Sequence, residues 1–231
     1  MSILESYVGH IVAVMPSLLQ GALITIEVTS LSVFFGTIIG IFVALGKMSS
    51  RKALRWPSMT YIDVIRGTPL LVQILLFYYG IPGLISGLTG QPLRVDPILA
   101  GVFVCSINSG AYVAEIVRAG IQSVDRGQME AARSLGMTHS QSMKKIILPQ
   151  AFKNILPPMG NEFIVLLKDS SLLAIIGVPE LLQSGRLYIA TTFASFPVYI
   201  GVALVYLVLT LSISKLIDYL ERRLGVSDSR N

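Results

Sequence analysis

The 231-residue chain is 53% hydrophobic and only 13% charged, with a mean hydropathy of +0.70. That leaves too little charge to cover a wetted surface, where about 25% is usual; an ordinary water-soluble domain is excluded and a lipid bilayer is the expected solvent. The formal net charge is +5, but Lys and Arg flank apolar runs instead of forming one soluble basic face, so no nucleic-acid partner is expected.

Residues 1–18 read as a short extracytoplasmic segment, weakly amphipathic and broken from the first span by Met15-Pro16. A helix lying on the outer membrane surface and a disordered lead are both open. No basic residue precedes Lys47, so no secretory leader is expected. Residues 19–222 read as a transmembrane domain and 223–231 as a cytoplasmic tail. Crossing about 30 Å of hydrocarbon takes about 20 apolar residues in helical form. Apolar runs of that order lie near 22–46, 66–86, 97–118, 157–176 and 190–214. The first holds one charge, Glu27, and the fourth is interrupted by Glu162, Lys168 and Asp169. None alternates as barrel strands do. The fold class is therefore all-α, an integral membrane helical bundle of five transmembrane helices.

Basic residues orient it. Lys47, Arg51, Lys52, Arg55 and Arg66 follow the first span. Arg118, Arg126, Arg133, Lys144, Lys145 and Lys153 follow the third, and Lys215, Arg222, Arg223 and Arg230 follow the last. Positive charge gathers in the cytoplasm, which sets the N-terminus outside and the C-terminus inside. Ser32, Gly36, Gly40 and Ala44 make a ridge of small residues on the first span, as do Gly101, Cys105 and Ser109 on the third. Such ridges let helices approach closely, within one chain or between two. Cys105, the single cysteine, lies in an apolar run and reads as inert packing.

Asp125 to Pro149 is the longest cytoplasmic excursion. Asp125 with Gln128, and Thr138 with Gln141, are spaced as capping boxes for two short helices. Gly136 ends the first helix and Pro149 limits the second. Ala131 and Ala132 flatten one face of the first helix, with Glu130 and Arg133 at its rim. From the residues alone, an amphipathic linker on the inner membrane face and a docking element for another protein are equally open.

Glu130-Ala131-Ala132, Gly136, Ile146 and Leu148-Pro149 match the pattern EAA-x3-G-x9-I-x-L-P without a gap. The segment resembles the signature loop of bacterial ABC importer permeases. Arg66-Gly67-Thr68-Pro69-Leu70-Leu71-Val72-Gln73, Ala111 to Glu115, Gly160 to Phe163, Lys168 to Leu172 and Val178 to Leu181 resemble its polar-amino-acid branch. The likeness covers roughly residues 18–222. It implies a permease subunit importing a polar amino acid across a bacterial cytoplasmic membrane. The partners it implies are a second permease chain, identical or paralogous, separate ABC ATPase subunits and an extracytoplasmic amino-acid-binding protein. Glu130, Ala131, Ala132, Arg133 and Gly136 would couple the chain to the ATPase, which itself would hold ATP and magnesium.

No phosphate-binding G-x4-G-K-[ST] loop is present: Gly46-Lys47 is followed by Met48, and Ile41 stands where the first glycine belongs. No cofactor and no ATPase activity are expected in this chain. Ionisable groups in hydrocarbon usually face a cavity or a partner. Asn161 and Glu162 are candidates for the translocation pathway, together with Lys168 and Asp169; Lys168 and Asp169 also read as an ion-paired brace for the bundle or a dimer. Glu162 and Asp169, seven apart, share a helix face. Glu115 and Arg118 are spaced for an intrahelical pair. His10 and His139 have no ligating neighbours in sequence and read as solvated, without a metal. An intramembrane enzyme would need a catalytic cluster, and an ion channel a repeated pore loop or charged ring; neither is present in the sequence.

Overall fold

The computed structural model describes residues 3–223, so the end of the tail, 224–231, lies outside the described residues. All regular structure among them is helical. In chain order the helices are α1 (Ile3–Met48), α2 (Lys52–Arg66), α3 (Leu70–Leu75), α4 (Ile81–Thr89), α5 (Pro97–Gln122), α6 (Arg126–Ser134), α7 (His139–Ser142), α8 (Leu148–Asp169), α9 (Leu181–Thr192) and α10 (Ser195–Arg223). A π-helical turn, Leu76–Gly80, carries α3 into α4, and a second, Met143–Ile147, carries α7 into α8. A 3-10 segment, Ser170–Ile176, follows α8. Among the described residues, four helical stretches are long and apolar enough to cross a membrane: Glu5–Met48, Leu70–Thr89, Pro97–Gln122 and Ser195–Arg223.

The expected break at Met15-Pro16 is absent, because α1 runs through Pro16. A proline inside a helix removes one hydrogen bond, but here the flanking turns are held by packing. Val14 and Leu18, fully buried, pack with Leu181, Val198 and Val202 of α9 and α10. At 1.5 Å per residue the helix is about 70 Å long, more than twice the hydrocarbon thickness.

α5 is the buried axis of the chain, and α1 runs parallel along it. The small-residue ridge of α1 is used within the chain. Ser32 Oγ donates to the Val102 carbonyl (3.4 Å). A Cβ on Gly36 would stand 2.9 Å from Ser109 Cβ, and one on Gly40 would stand 2.6 Å from Val113 Cβ and 2.9 Å from the Gly110 carbonyl. The ridge of α5 divides between two neighbours: Ser109 meets α1, while Gly101 meets Leu173 of the 3-10 segment. α8 closes the far end, with Ile155 against Gly120.

At the opposite end Glu180 fixes α9 against α1 and α10. It caps α9, accepting from the backbone N–H groups of Leu182 (2.8 Å) and Gln183 (2.7 Å) and from the Tyr206 hydroxyl (2.9 Å). Thr25 Oγ1 of α1 accepts from Leu181 N–H (3.2 Å). A fully buried carboxylate requires such a set of donors. His10 is half-buried and not merely solvated: its Nδ1 lies 3.2 Å from the Tyr188 hydroxyl.

Gly40→Ala forces α1 away from the α5 backbone, and destabilisation of about 1–3 kcal/mol is expected, read as a lowered melting temperature of the purified protein. Gly9→Ala, where a Cβ meets nothing within 4 Å, leaves the melting temperature unchanged or raises it slightly. Equal losses in both variants would contradict this packing.

Candidate functional site

Between α2 and α3 the chain stops being helical for three residues, Gly67 to Pro69. Pro69 has no N–H and disfavours the helical region for Thr68. The turn is stapled by its own side chains. Thr68 Oγ1 donates to the Val64 carbonyl (2.9 Å), and Gln73 Nε2 donates to the carbonyls of Ile65 (2.8 Å) and Thr68 (3.1 Å). Gln73 Oε1 in turn accepts from Asn108 Nδ2 of α5 (3.0 Å). The motif at 66–73 is thus a broken helix whose freed carbonyls are satisfied internally, as a lipid environment demands.

A cavity of about 430 Å³ opens at this break, lined by residues 66–70, Asn108 and Tyr112 of α5, and Glu162, Val165, Leu166 and Asp169 of α8. It brings both signs of charge together. The Arg66 guanidinium stands over the Tyr112 ring (5.1 Å to its centroid), with Nη1 4.0 Å from Glu115 Oε2. Glu115 forms the expected pair with Arg118 (2.7 Å) and also accepts from Lys47 Nζ (2.6 Å). Lys47 and Arg66, which in the sequence read as orientation signals, therefore share a carboxylate on α5.

The four pathway candidates do not act as one group. Glu162, 8% exposed, and Asp169, half-buried, face the cavity together. Asn161, one residue round the helix, lines a separate polar crevice of about 370 Å³ with Ser214, Asp218 and Glu221 of α10. Lys168 is exposed, and neither it nor Asp169 makes a salt bridge within the chain among the described residues; the expected brace is absent there. Arg66, Asn108 and Tyr112 are site residues that the sequence does not single out. Arg66 opens the 66–73 motif and Tyr112 belongs to the 111–115 motif, but nothing local aims them at α8.

The 125–149 excursion is two helices around Gly136, as the capping pattern suggests, with four differences. Asp125 Oδ1 accepts from Gly127 N–H (2.7 Å), so the first box is replaced by a tighter turn. The second box is complete: Gln141 N–H donates to Thr138 Oγ1 (3.3 Å) and Thr138 N–H to Gln141 Oε1 (2.8 Å). Gly136 takes φ +82°, with Gly136 N–H on Arg133 O (3.0 Å) and Met137 N–H on Ala132 O (3.1 Å), the bonding of a Schellman stop. Arg133 Nη1 donates to the Met137 carbonyl (3.0 Å), which ties it to that turn rather than leaving it at the rim. The flat face is divided, because Ala132 is buried while Glu130, Ala131 and a prominent Leu135, 84% exposed, face out. Pro149 does not end the second helix. The π-helical turn Met143–Ile147 precedes it, and its i→i+5 bonding lets the helix continue without the N–H that Pro149 lacks. Residues 139–169 are therefore one rod, about 46 Å long, joining the Gly136 turn to Glu162 and Asp169.

No group of three or more metal-ligating side chains occurs among the described residues. Residues 36–226 match the family described as binding-protein-dependent transport system inner membrane component. The chain is 44% identical over 190 residues to the probable glutamine ABC transporter permease protein GlnM of Bacillus subtilis, covering 82% of this chain and 85% of that one. It is 36% identical over 211 residues to the glutamine transport system permease protein GlnP of Escherichia coli K12, covering 91% and 94%. A crystal structure of an amino acid ABC transporter with histidines superposes with a TM-score of 0.85 at 48% identity, over 92% of this chain and 96% of that one. The MetNI methionine ABC transporter shares the fold, with a TM-score of 0.73 at 20% identity. The length of the family match and the identity to these permeases establish that the chain belongs to the binding-protein-dependent transport system inner membrane components.

Proposed function

We propose that this chain is the permease subunit of an ABC importer that carries a polar amino acid across a bacterial cytoplasmic membrane, driven by separate ATPase subunits. The observation that carries the substrate class is the cavity at the broken helix, where Arg66 faces Glu162 and Asp169. An amino acid presents a carboxylate and an ammonium a few bonds apart, and a water-poor site must compensate both. Arg66 suits the carboxylate, and Glu162 with Asp169 suits the ammonium or a basic side chain. The names of the permeases similar to this chain, among them glutamine and arginine systems, agree with that class.

The proposed arrangement is a transmembrane domain over 19–222 with five spans, the N-terminus outside and the tail from 223 in the cytoplasm. α3–α4, entered from the basic segment that ends at Arg66, make the second span, and α8 the fourth. In this placement Glu130, Ala131 and Leu135 point into the cytoplasm from a rigid double helix, the shape of an element that enters a groove on an ATPase. Arg133, Ala132 and Gly136 keep that shape. Nucleotide and magnesium belong to the ATPase. Movement of the Gly136 turn is carried along the 139–169 rod to the cavity carboxylates. A second permease chain is supported by the exposed polar stripe of Asn161 and Lys168 on α8 and Asp218 on α10, since a polar face at membrane depth needs protein or water against it. An extracytoplasmic binding protein would supply the amino acid.

In proteoliposomes holding the assembled transporter, ATP-dependent uptake of at least one polar amino acid is expected. Glu162→Gln and Asp169→Asn should each lower uptake at least tenfold, roughly one lost charge-assisted bond, while the ATPase still co-purifies. Absence of uptake across a full panel of polar amino acids would overturn the substrate class.

Gly136→Ala puts a Cβ at φ +82°, at a cost of about 1–2 kcal/mol. This variant and Glu130→Gln are expected to weaken ATPase co-purification several-fold and to lower transport in proportion. Wild-type association and transport in both would remove the docking role.

A further inference from the structure

α8 and α10 touch where Gly160 meets Ile217, at a distance that leaves no room for a Cβ (2.7 Å). The two helices present unlike faces on either side of that contact. One is the polar crevice holding Asn161 and Asp218. The other is an apolar groove of about 560 Å³, backed by Ile26 and Val33 of α1. On α10 the groove follows Leu209, Ile213, Leu216 and Leu220, and the next residue on that helical stripe is Arg223. On α8 its first lining residue is Leu156, with Lys153 one turn before it.

Both cations lie at the same end. α1 and α5 run parallel, with Ser32 beside Val102 and Gly40 beside Val113. The start of α8 packs at the end of α5, Ile155 on Gly120. The start of α10 packs at the opposite end, Val198 with Val14 and Leu18. α8 and α10 are therefore antiparallel, and exposed Lys153 and Arg223 flank one mouth of the groove.

We propose that an acyl chain of an anionic phospholipid from the surrounding bilayer occupies this groove, with its phosphate held by Arg223 and Lys153. No charged side chain lines the groove itself, and the mouth between Lys153 and Arg223 is positive, which complements a phosphodiester at headgroup depth. The polar face turned toward protein or water lies across the Gly160–Ile217 contact, so the groove is on the side left to lipid. This rests on the membrane placement above and is independent of the transported substrate.

The test is native mass spectrometry of the assembled transporter with its ATPase, taken from nanodiscs of equal phosphatidylglycerol and phosphatidylcholine. The wild type is expected to retain at least one phosphatidylglycerol per permease chain. Ser212→Trp, which fills the groove, should lose one lipid per chain. The double variant Lys153→Ala/Arg223→Ala should keep its lipid count but lose the preference for phosphatidylglycerol, by about fivefold per cation. A double variant with wild-type preference overturns the proposal, and it still decides the matter if the Trp variant does not assemble. A Trp variant with wild-type lipid count also overturns it. So does disulfide formation between two Ser212→Cys chains, which would mean that a second copy covers the groove.

Discussion

Hydrocarbon offers no partner to an unpaired backbone group, and each such group costs several kcal/mol. Wherever this chain departs from a regular helix it must therefore supply its own hydrogen bonds. At Gly67 to Pro69 it does so through Thr68 and Gln73, and Gln73 also fastens the turn to Asn108 of α5. The break is thus a fixed feature and not a frayed one. Because it is fixed, it holds Arg66 beside Tyr112 and opens a cavity whose far wall is α8. The site exists because the helix is interrupted there.

A second constraint is the continuity of the helix between Thr138 and Asp169. The sequence between Thr138 and Asp169 contains three prolines, Pro149, Pro157 and Pro158, each a potential kink. Pro149 directly follows a π-helical turn, whose i→i+5 bonding does not call on its missing N–H. Pro157 and Pro158 lie within α8, where the packing of Gly160 on Ile217 supports the helix from α10. The helix thus continues through all three prolines with neighbours packed against it.

Charge is handled with the same economy of partners. Glu115 serves Lys47 from the end of α1 and Arg118 from its own helix, and approaches Arg66 from the end of α2. Three cations that would be costly one by one near the membrane share one acceptor. Glu180 does the corresponding work at the other end with a hydroxyl and two backbone N–H groups. Between these two anchors, close helix contacts have a glycine on one side, as in Gly36 on Ser109, Gly40 on Val113 and Gly110 on Ile39.

Much of this was determined by the sequence alone. Composition set the solvent; the apolar runs near 22–46 and 97–118 fall within helices long enough to span, and those near 66–86 and 190–214 overlap the spanning stretches Leu70–Thr89 and Ser195–Arg223 without coinciding with them. The Thr138–Gln141 box and the Gly136 stop are local chemistry, so they were legible as spelled. Glu162 and Asp169 share a face because helical periodicity puts residues seven apart together. What only the tertiary structure decided is which groups meet across elements. The partners of Glu115, the packing of α1's glycine ridge on α5, and the convergence of Arg66, Tyr112 and Asn108 on α8 depend on helices brought together from distant parts of the chain. The separation of Asn161 from Glu162 does too: adjacent residues point about 100° apart on a helix, and only the positions of α5 and α10 say which of them faces the cavity. The same holds for Pro16 and Pro149, whose local tendency to end a helix was overruled by packing and by a π-helical turn.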